Sequence, residues 1–176
     1  MSRSLINGPG WVFGYGSLIW RQDFPFLEAR PAHVQGWVRR FWQGSHDHRG
    51  IPEAPGRVLT LVESPGEICR GRAFLVDPEV LAHLDYREKN GYHRRHLQVH
   101  VGTETVTGLT YVARPDNPAF LGDAPLEDMV EQIRLSRGES GTNTDYVLGL
   151  ARELRRMGIH DAHVFRLEAL LLRDSA

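Results

Sequence analysis

The sequence predicts an α+β fold: a small, curled mixed β-sheet or barrel with flanking helices and a helical C-terminal region. Three observations lead there. Short β-forming segments crowd the first two thirds of the chain, helical periodicities gather in the last third, and glycines punctuate the strand-like part. The 176 residues suit one domain, 1–176, with a core that needs no staples. Apolar content of 41% and charged content of 24% are ordinary globular values. A formal net charge of −1 gives no general attraction to nucleic acid or anionic membrane. No apolar run nears the roughly 20 residues that span a bilayer, and no signal-peptide core opens the chain. A single cysteine, Cys69, excludes an internal disulfide, and the cytoplasm is the expected compartment.

The first strand is expected at residues 11–15, within Trp11-Val12-Phe13-Gly14-Tyr15-Gly16-Ser17-Leu18-Ile19-Trp20, and ends in a sharp turn. Gly14 and Gly16 can take positive φ there and let backbone or ligand approach. Residues 33–42, 57–63 and 68–76 are the next strands. Leu97-Gln98-Val99-His100-Val101 alternates cleanly, as a strand with one buried face does, and 104–113 is rich in β-formers with a bend at Gly108.

Asp77-Pro78 is an N-cap followed by proline at the first helical position, with Val80, Leu81 and Leu84 behind it. From Pro125, the stripe Leu126, Met129, Val130 and Ile133 predicts a helix ending near Gly138. Thr142–Thr144 caps another, striped by Val147, Leu150, Ala151, Leu154 and Met157 and closed by Gly158. A last helix runs from Asp161. The segment 44–56 reads as a long loop, of the kind that is functional or mobile.

The Gly-Tyr-Gly-Ser turn lacks the third glycine of a dinucleotide fingerprint and the Gly-Lys of a phosphate loop, and no helix is expected directly after it. It is either a structural bend or a ligand-facing turn whose main-chain N–H groups share one concavity. Glu88 closes the helix begun at Pro78, and Asn90-Gly91 supplies the turn out, so Glu88 sits at a helix-to-strand junction. It is either a solvated carboxylate beside Arg87 and Lys89 or a group presented to a cleft. Glu79, nine residues earlier, falls on the opposite helix face. Arg39, Arg40, Arg49 and Arg57 surround the long loop as surface charge or as carboxylate-binding forks. His46-Asp47-His48 and the group His93, His96 and His100 have ligand types but no metal-ligand spacing; the strand faces His96, Gln98 and His100 to solvent, and no metal is expected. Cys69 lies in a strand-like run and is read as a small buried side chain rather than a nucleophile.

Several ungapped stretches in one order resemble the ChaC-type, glutathione-specific γ-glutamylcyclotransferase family. They are Val12 to Trp20, Arg39-Arg40-Phe41-Trp42-Gln43-Gly44-Ser45, Asp47-His48-Arg49-Gly50, Pro55-Gly56-Arg57-Val58 and Leu84-Asp85-Tyr86-Arg87-Glu88-Lys89, with Thr142 to Tyr146 a weaker match. Asn90 stands where the family usually has glycine, and His46 where threonine is common. The resemblance implies a γ-glutamylcyclotransferase-like fold and cleavage of glutathione to 5-oxoproline and cysteinylglycine without cofactor. It implies Glu88 as general base, and the segment Val12, Phe13, Gly14, Tyr15, Gly16, Ser17 and Leu18 as the γ-glutamyl grip. Arg49 and Tyr146 join these as candidate substrate contacts.

That chemistry suits the residues. The substrate's own α-amine attacks its γ-carbonyl, so no serine or cysteine nucleophile is required, and Ser17 is a hydrogen-bonding partner. Turn N–H groups can hold either the α-carboxylate or the oxyanion that forms. Two alternatives keep the fold: a cyclotransferase for another γ-glutamyl amine or peptide, and a non-enzymatic ligand-binding regulator. Glutathione is the expected small-molecule partner; the sequence names no protein partner.

Overall fold

Alternation of buried and exposed side chains builds β1 (Gly10–Gly14), β2 (Glu28–Ser45), β3 (Gly56–Val76), β4 (Tyr92–Val101) and β5 (Glu104–Ala113). In the computed structural model, which describes residues 8–20, 22–88 and 91–173, these five strands close a barrel in the order β1-β3-β2-β4-β5. The fold is α+β, as the sequence predicts. β1 runs antiparallel to β3, from Gly10↔Val76 to Gly14↔Arg72, and parallel to β5 at Val12↔Leu109. β2 pairs antiparallel with β4 at Ala32↔Val101.

The chain forms two compact units, and β2 and β3 each pass from one into the other. The first runs to Val38 and resumes at Val62–Val112; the second holds Arg39–Leu61 and the chain from Ala113 onward. In the first, Val12, Phe13, Ala73, Phe74, Val76 and Val99 are fully buried, with α1 (Ser17–Trp20) and α2 (Pro78–Arg87) alongside. In the second, α3 (Leu126–Leu135), α4 (Asn143–Arg156) and α5 (Ala162–Arg173) pack on one another through Met129, Ile133, Val147, Leu154, Val164 and Leu167. A short hairpin, β6 (Arg137–Gly138) and β7 (Gly141–Thr142), separates α3 from α4.

The helix caps carry the expected chemistry in part. Thr142 Oγ1 accepts from the Asp145 N–H at 3.1 Å, and Asp161 Oδ1 accepts from the Val164 N–H at 3.1 Å. Gly158 follows α4 at φ +71°. Asp77 stands at the N-cap of α2, but its side chain makes no capping bond. Pro78 at the first helical position leaves that end with one orphan donor fewer.

Several boundaries differ from the sequence expectation. Residues 57–63 and 68–76 are one strand, because Gly66 at φ +87° and an exposed Pro65 bend β3 without ending it. The third helix stops at Leu135 rather than near Gly138, where Ser136 turns extended at φ −104°, ψ 135° and leads into β6. The loop expected at 44–56 is shorter, since Gly44, Ser45 and Gly56 belong to strands and Ile51 pairs with Ala54 inside it. Asn90, half of the expected turn after Glu88, lies outside the described residues; Gly91 has φ +95°.

Candidate functional site

The glycine turn is built by close approach rather than by left-handed backbone. Neither Gly14 nor Gly16 has positive φ, contrary to expectation. A Cβ on Gly14 would lie 3.0 Å from Leu18 Cβ and 3.2 Å from a Phe74 ring carbon, so a side chain there would press into packed neighbours. On β3, a Cβ on Gly71 would lie 2.2 Å from the Gly14 carbonyl oxygen. The apolar run after the turn resumes as the four-residue helix α1, not as extended chain. The Gly16 carbonyl starts it, accepting from the N–H groups of Ile19 at 3.0 Å and Trp20 at 3.3 Å.

Val12, Phe13, Gly14, Tyr15, Gly16 and Leu18 are buried, and Ser17 is partly exposed. Two residues of β5 hold the turn. Thr110 Oγ1 donates to the Phe13 carbonyl at 2.9 Å, and the Tyr15 hydroxyl donates to the Tyr111 carbonyl at 2.5 Å.

Glu88 is the C-cap of α2, half-buried, its N–H donating to the Leu84 carbonyl at 2.9 Å. This is the helix-to-strand junction the sequence predicts. The end of α2 is fastened on two sides within the first unit. Arg87 ion-pairs with Asp23 in the segment after α1. Asp85 accepts from the Tyr111 hydroxyl at 2.7 Å and from Arg94 Nε at 2.6 Å, and Arg94 Nη2 completes a fork on the same carboxylate. Burial pushes the Asp85 carboxyl up, but the bonds from Arg94 and Tyr111 outweigh it and hold its pKa below the usual value. Burial, then the Asp85 bond and charge, push the Tyr111 phenol well above its ordinary pKa. Sequence reasoning missed Asp85, Arg94 and Tyr111. Their contacts join residues 9 and 26 apart in sequence, which no periodicity signals.

Arg49 and Tyr146 lie in the second unit, and the fold brings them together. The Arg49 guanidinium carbon stands 5.6 Å from the Tyr146 ring centroid, and its Nη1 donates to the Thr142 carbonyl at 3.0 Å. Arg49 is only 3% exposed, and its N–H donates to Ser45 Oγ at 2.9 Å. Asn143, one residue into α4, clasps the backbone of Arg57: its Oδ1 accepts from the Arg57 N–H at 2.7 Å and its Nδ2 donates to the Arg57 carbonyl at 2.8 Å. The Arg57 guanidinium donates to the carbonyls of Phe41 and Gly122 and to Gln132 Oε1. Arg39 pairs with Asp161 at 2.9 Å. Surface charge therefore describes none of Arg39, Arg49 and Arg57, which are all buried.

Cys69 is buried in β3. His96 and Gln98 are exposed on β4, and the rings of His33 and His100 stack at 4.7 Å. Among the described residues, no group of three or more His, Cys, Asp or Glu stands ready to hold a metal ion. Among them, too, no helix is long and apolar enough to cross a membrane.

Comparison with known proteins gives one answer. Residues 10–174 match the family described as ChaC-like protein. The chain is 42% identical over 167 residues to gamma-glutamylcyclotransferase 2-3 of Arabidopsis thaliana, covering 88% of this chain and 84% of that one. It is 41% identical over 173 residues to glutathione-specific gamma-glutamylcyclotransferase 1 of Danio rerio, covering 92% and 88%. Its fold superimposes with a TM-score of 0.87 on the yeast γ-glutamyl cyclotransferase specific to glutathione, at 28% identity, covering 95% of this chain and 97% of that one. The chain belongs to the ChaC-like family.

Proposed function

We propose that this protein is a glutathione-specific γ-glutamylcyclotransferase, converting glutathione to 5-oxoproline and cysteinylglycine. The observation that carries this is the 41% identity, over 92% of the chain, to a relative named for that activity. In the reaction, the α-amino nitrogen of the γ-glutamyl residue attacks the γ-carbonyl carbon, a five-membered lactam closes, and the bond to the cysteine nitrogen breaks. No water enters. The attacking nitrogen begins as an ammonium and ends as a lactam N–H, while the leaving nitrogen begins as an amide N–H and ends as an ammonium. Two protons thus pass from one nitrogen to the other.

A single carboxylate reaching both nitrogens suffices for that transfer, and Glu88 is our candidate. With nucleophile and electrophile in one molecule, holding the reactive conformer is worth an effective molarity of ~10⁵ M or more. Holding it is the task we assign to the 12–18 turn, with Ser17 as a hydrogen-bonding contact and main-chain N–H groups facing the α-carboxylate or the oxyanion. Arg49 and Tyr146 are assigned as further substrate contacts. The reading needs no cofactor, and the cytoplasm, where a chain with a single cysteine and hence no internal disulfide is at home, is its compartment.

Incubating the protein with glutathione and, separately, with γ-glutamyl-alanine, and measuring 5-oxoproline, tests the proposal. Product from glutathione alone is expected. Product from the alanine compound alone would indicate a different γ-glutamyl substrate, and product from neither would leave a ligand-binding role. Glu88→Gln is expected to lower kcat about 10²-fold or more. Full activity in that variant would remove Glu88 as base while leaving the substrate assignment standing.

A further inference from the structure

We propose that Tyr111, through Asp85, is a positioning residue that fixes the end of α2, and with it Glu88, relative to the glycine turn; its catalytic part rests on the function proposed above. Tyr111 is bonded to the turn and to α2 at once. Its carbonyl accepts the Tyr15 hydroxyl of the turn at 2.5 Å, and its own hydroxyl donates to Asp85 Oδ1 at 2.7 Å. Asp85 precedes Glu88 by three residues on the last turn of α2, so the two are neighbours on one helix surface. Arg94 of β4 grips the same Asp85 carboxylate, and Arg87, which lies between Asp85 and Glu88, ion-pairs with Asp23.

A hydrophobic contact at this place would stabilise the barrel as well. A buried phenol paired with a carboxylate does something an apolar pair does not: it sets direction and distance within a narrow range. The proposed reaction needs just that. Its substrate supplies nucleophile and electrophile, so the protein's contribution is to hold the base at a fixed place relative to the grip, where an error of about 1 Å costs on the order of 10²-fold. Tyr111 need not touch substrate to do this. The burial that lifts its pKa keeps it a hydrogen-bond donor throughout the working range.

The test uses Tyr111→Phe, Asp85→Asn and the double variant of the full chain. Steady-state formation of 5-oxoproline is paired with amide hydrogen exchange followed by mass spectrometry. Tyr111→Phe keeps the ring and is expected to lower kcat about tenfold while KM stays within twofold, because misplacing the base weakens the transition state and not the grip. The double variant is expected to be no slower than the slower single one, as two ends of one link are. Amide exchange in the 84–88 segment is expected to quicken several-fold, with β1 and β3 unchanged.

Additive losses in the double variant, a KM rise matching the kcat loss, or unchanged exchange in 84–88 would each overturn the proposal. Should Tyr111→Phe fail to fold, Asp85→Asn decides by the same kinetic and exchange criteria. If the unmutated protein forms no 5-oxoproline, the proposed activity fails, and the exchange result alone decides whether Tyr111 fixes α2. If it is active and the variants match it in rate and exchange, the positioning role fails and the activity stands.

Discussion

Lowering the pH from 7 to 4 loads a proton onto an imidazole that the native second unit holds neutral. His163, on α5, accepts the Phe41 N–H at Nε2 over 3.1 Å and stacks on the Phe41 ring with centroids 5.7 Å apart. An imidazole that accepts at Nε2 carries its proton on Nδ1 and has no room for a second without losing that bond. Burial first, then the charge of Arg40, push its pKa from 6.5 to about 4, against the opposing pull of Asp161 and Asp123. Because the folded pKa lies below the unfolded one, the unfolded chain binds more protons between these values. The stabilisation is complete above pH 6.5 and is lost as pH falls toward 4. A displacement of that size amounts to ~3 kcal/mol. Urea unfolding of the parent and of His163→Gln at pH 7, 6, 5 and 4 isolates it, since Gln can accept the Phe41 N–H and does not titrate. The parent is expected to lose about 3 kcal/mol more than the variant across this range. Parallel losses in the two proteins would refute the reasoning.

Other substitutions probe the two units separately. Gly71→Ala drives a Cβ to within 2.2 Å of the Gly14 carbonyl oxygen, so it is expected to cost about 2–3 kcal/mol in urea unfolding and to lower 5-oxoproline formation, since the displaced atom belongs to the turn. Arg49→Ala leaves the Thr142 carbonyl short of a donor and bares the Tyr146 face, for an expected loss of about 2–3 kcal/mol in the same assay; Arg49→Lys restores little, because an ammonium lacks the planar fork. Asn143→Ala strips both partners from the Arg57 backbone and is expected to lower the thermal midpoint by several degrees, with Asn143→Asp, which keeps one acceptor, falling between.

Where a strand has one wet face, the sequence shows it. Val99 and Val101 are buried and His96 and Gln98 exposed, as the alternation at 97–101 requires. The α4 stripe is legible for the same reason, at the helical period. Residue type alone leaves the buried arginines undecided, because a charged side chain is seldom interior unless paired, and their partners are carbonyls, an amide oxygen or a distant acid. A signal was there for Arg39. Trp37, Arg39, Phe41 and Gln43 are spaced by two along β2 and are all buried, so the period-2 rule places the guanidinium on the core face despite its charge. The expected strands 57–63 and 68–76 are separate in the sequence and continuous in the fold, because one positive φ, at exposed Gly66, bends a strand without breaking it. Of the candidate site, Glu88 and the turn were legible as local junctions. The Tyr15–Tyr111–Asp85 link was not, since each hydrogen bond in it is decided by barrel closure.

The glycines make a related point about what the barrel asks of its sequence. Gly71 on β3 lies against the Gly14 carbonyl of β1, and neither glycine is there for left-handed backbone. Gly56, in the second unit, is in the same position: its missing Cβ leaves room for the Arg49 carbonyl at 2.4 Å and Asn143 Oδ1 at 2.8 Å. In both units a missing side chain admits backbone to a segment that carries a candidate substrate contact. Close approach of main chain is a stiff constraint, because carbonyl oxygens cannot turn aside as a side chain can. A reaction whose substrate brings its own nucleophile gains most from such stiffness. That is a physical reason for the turn's main chain to be packed hard against its neighbours rather than carried on a mobile glycine loop.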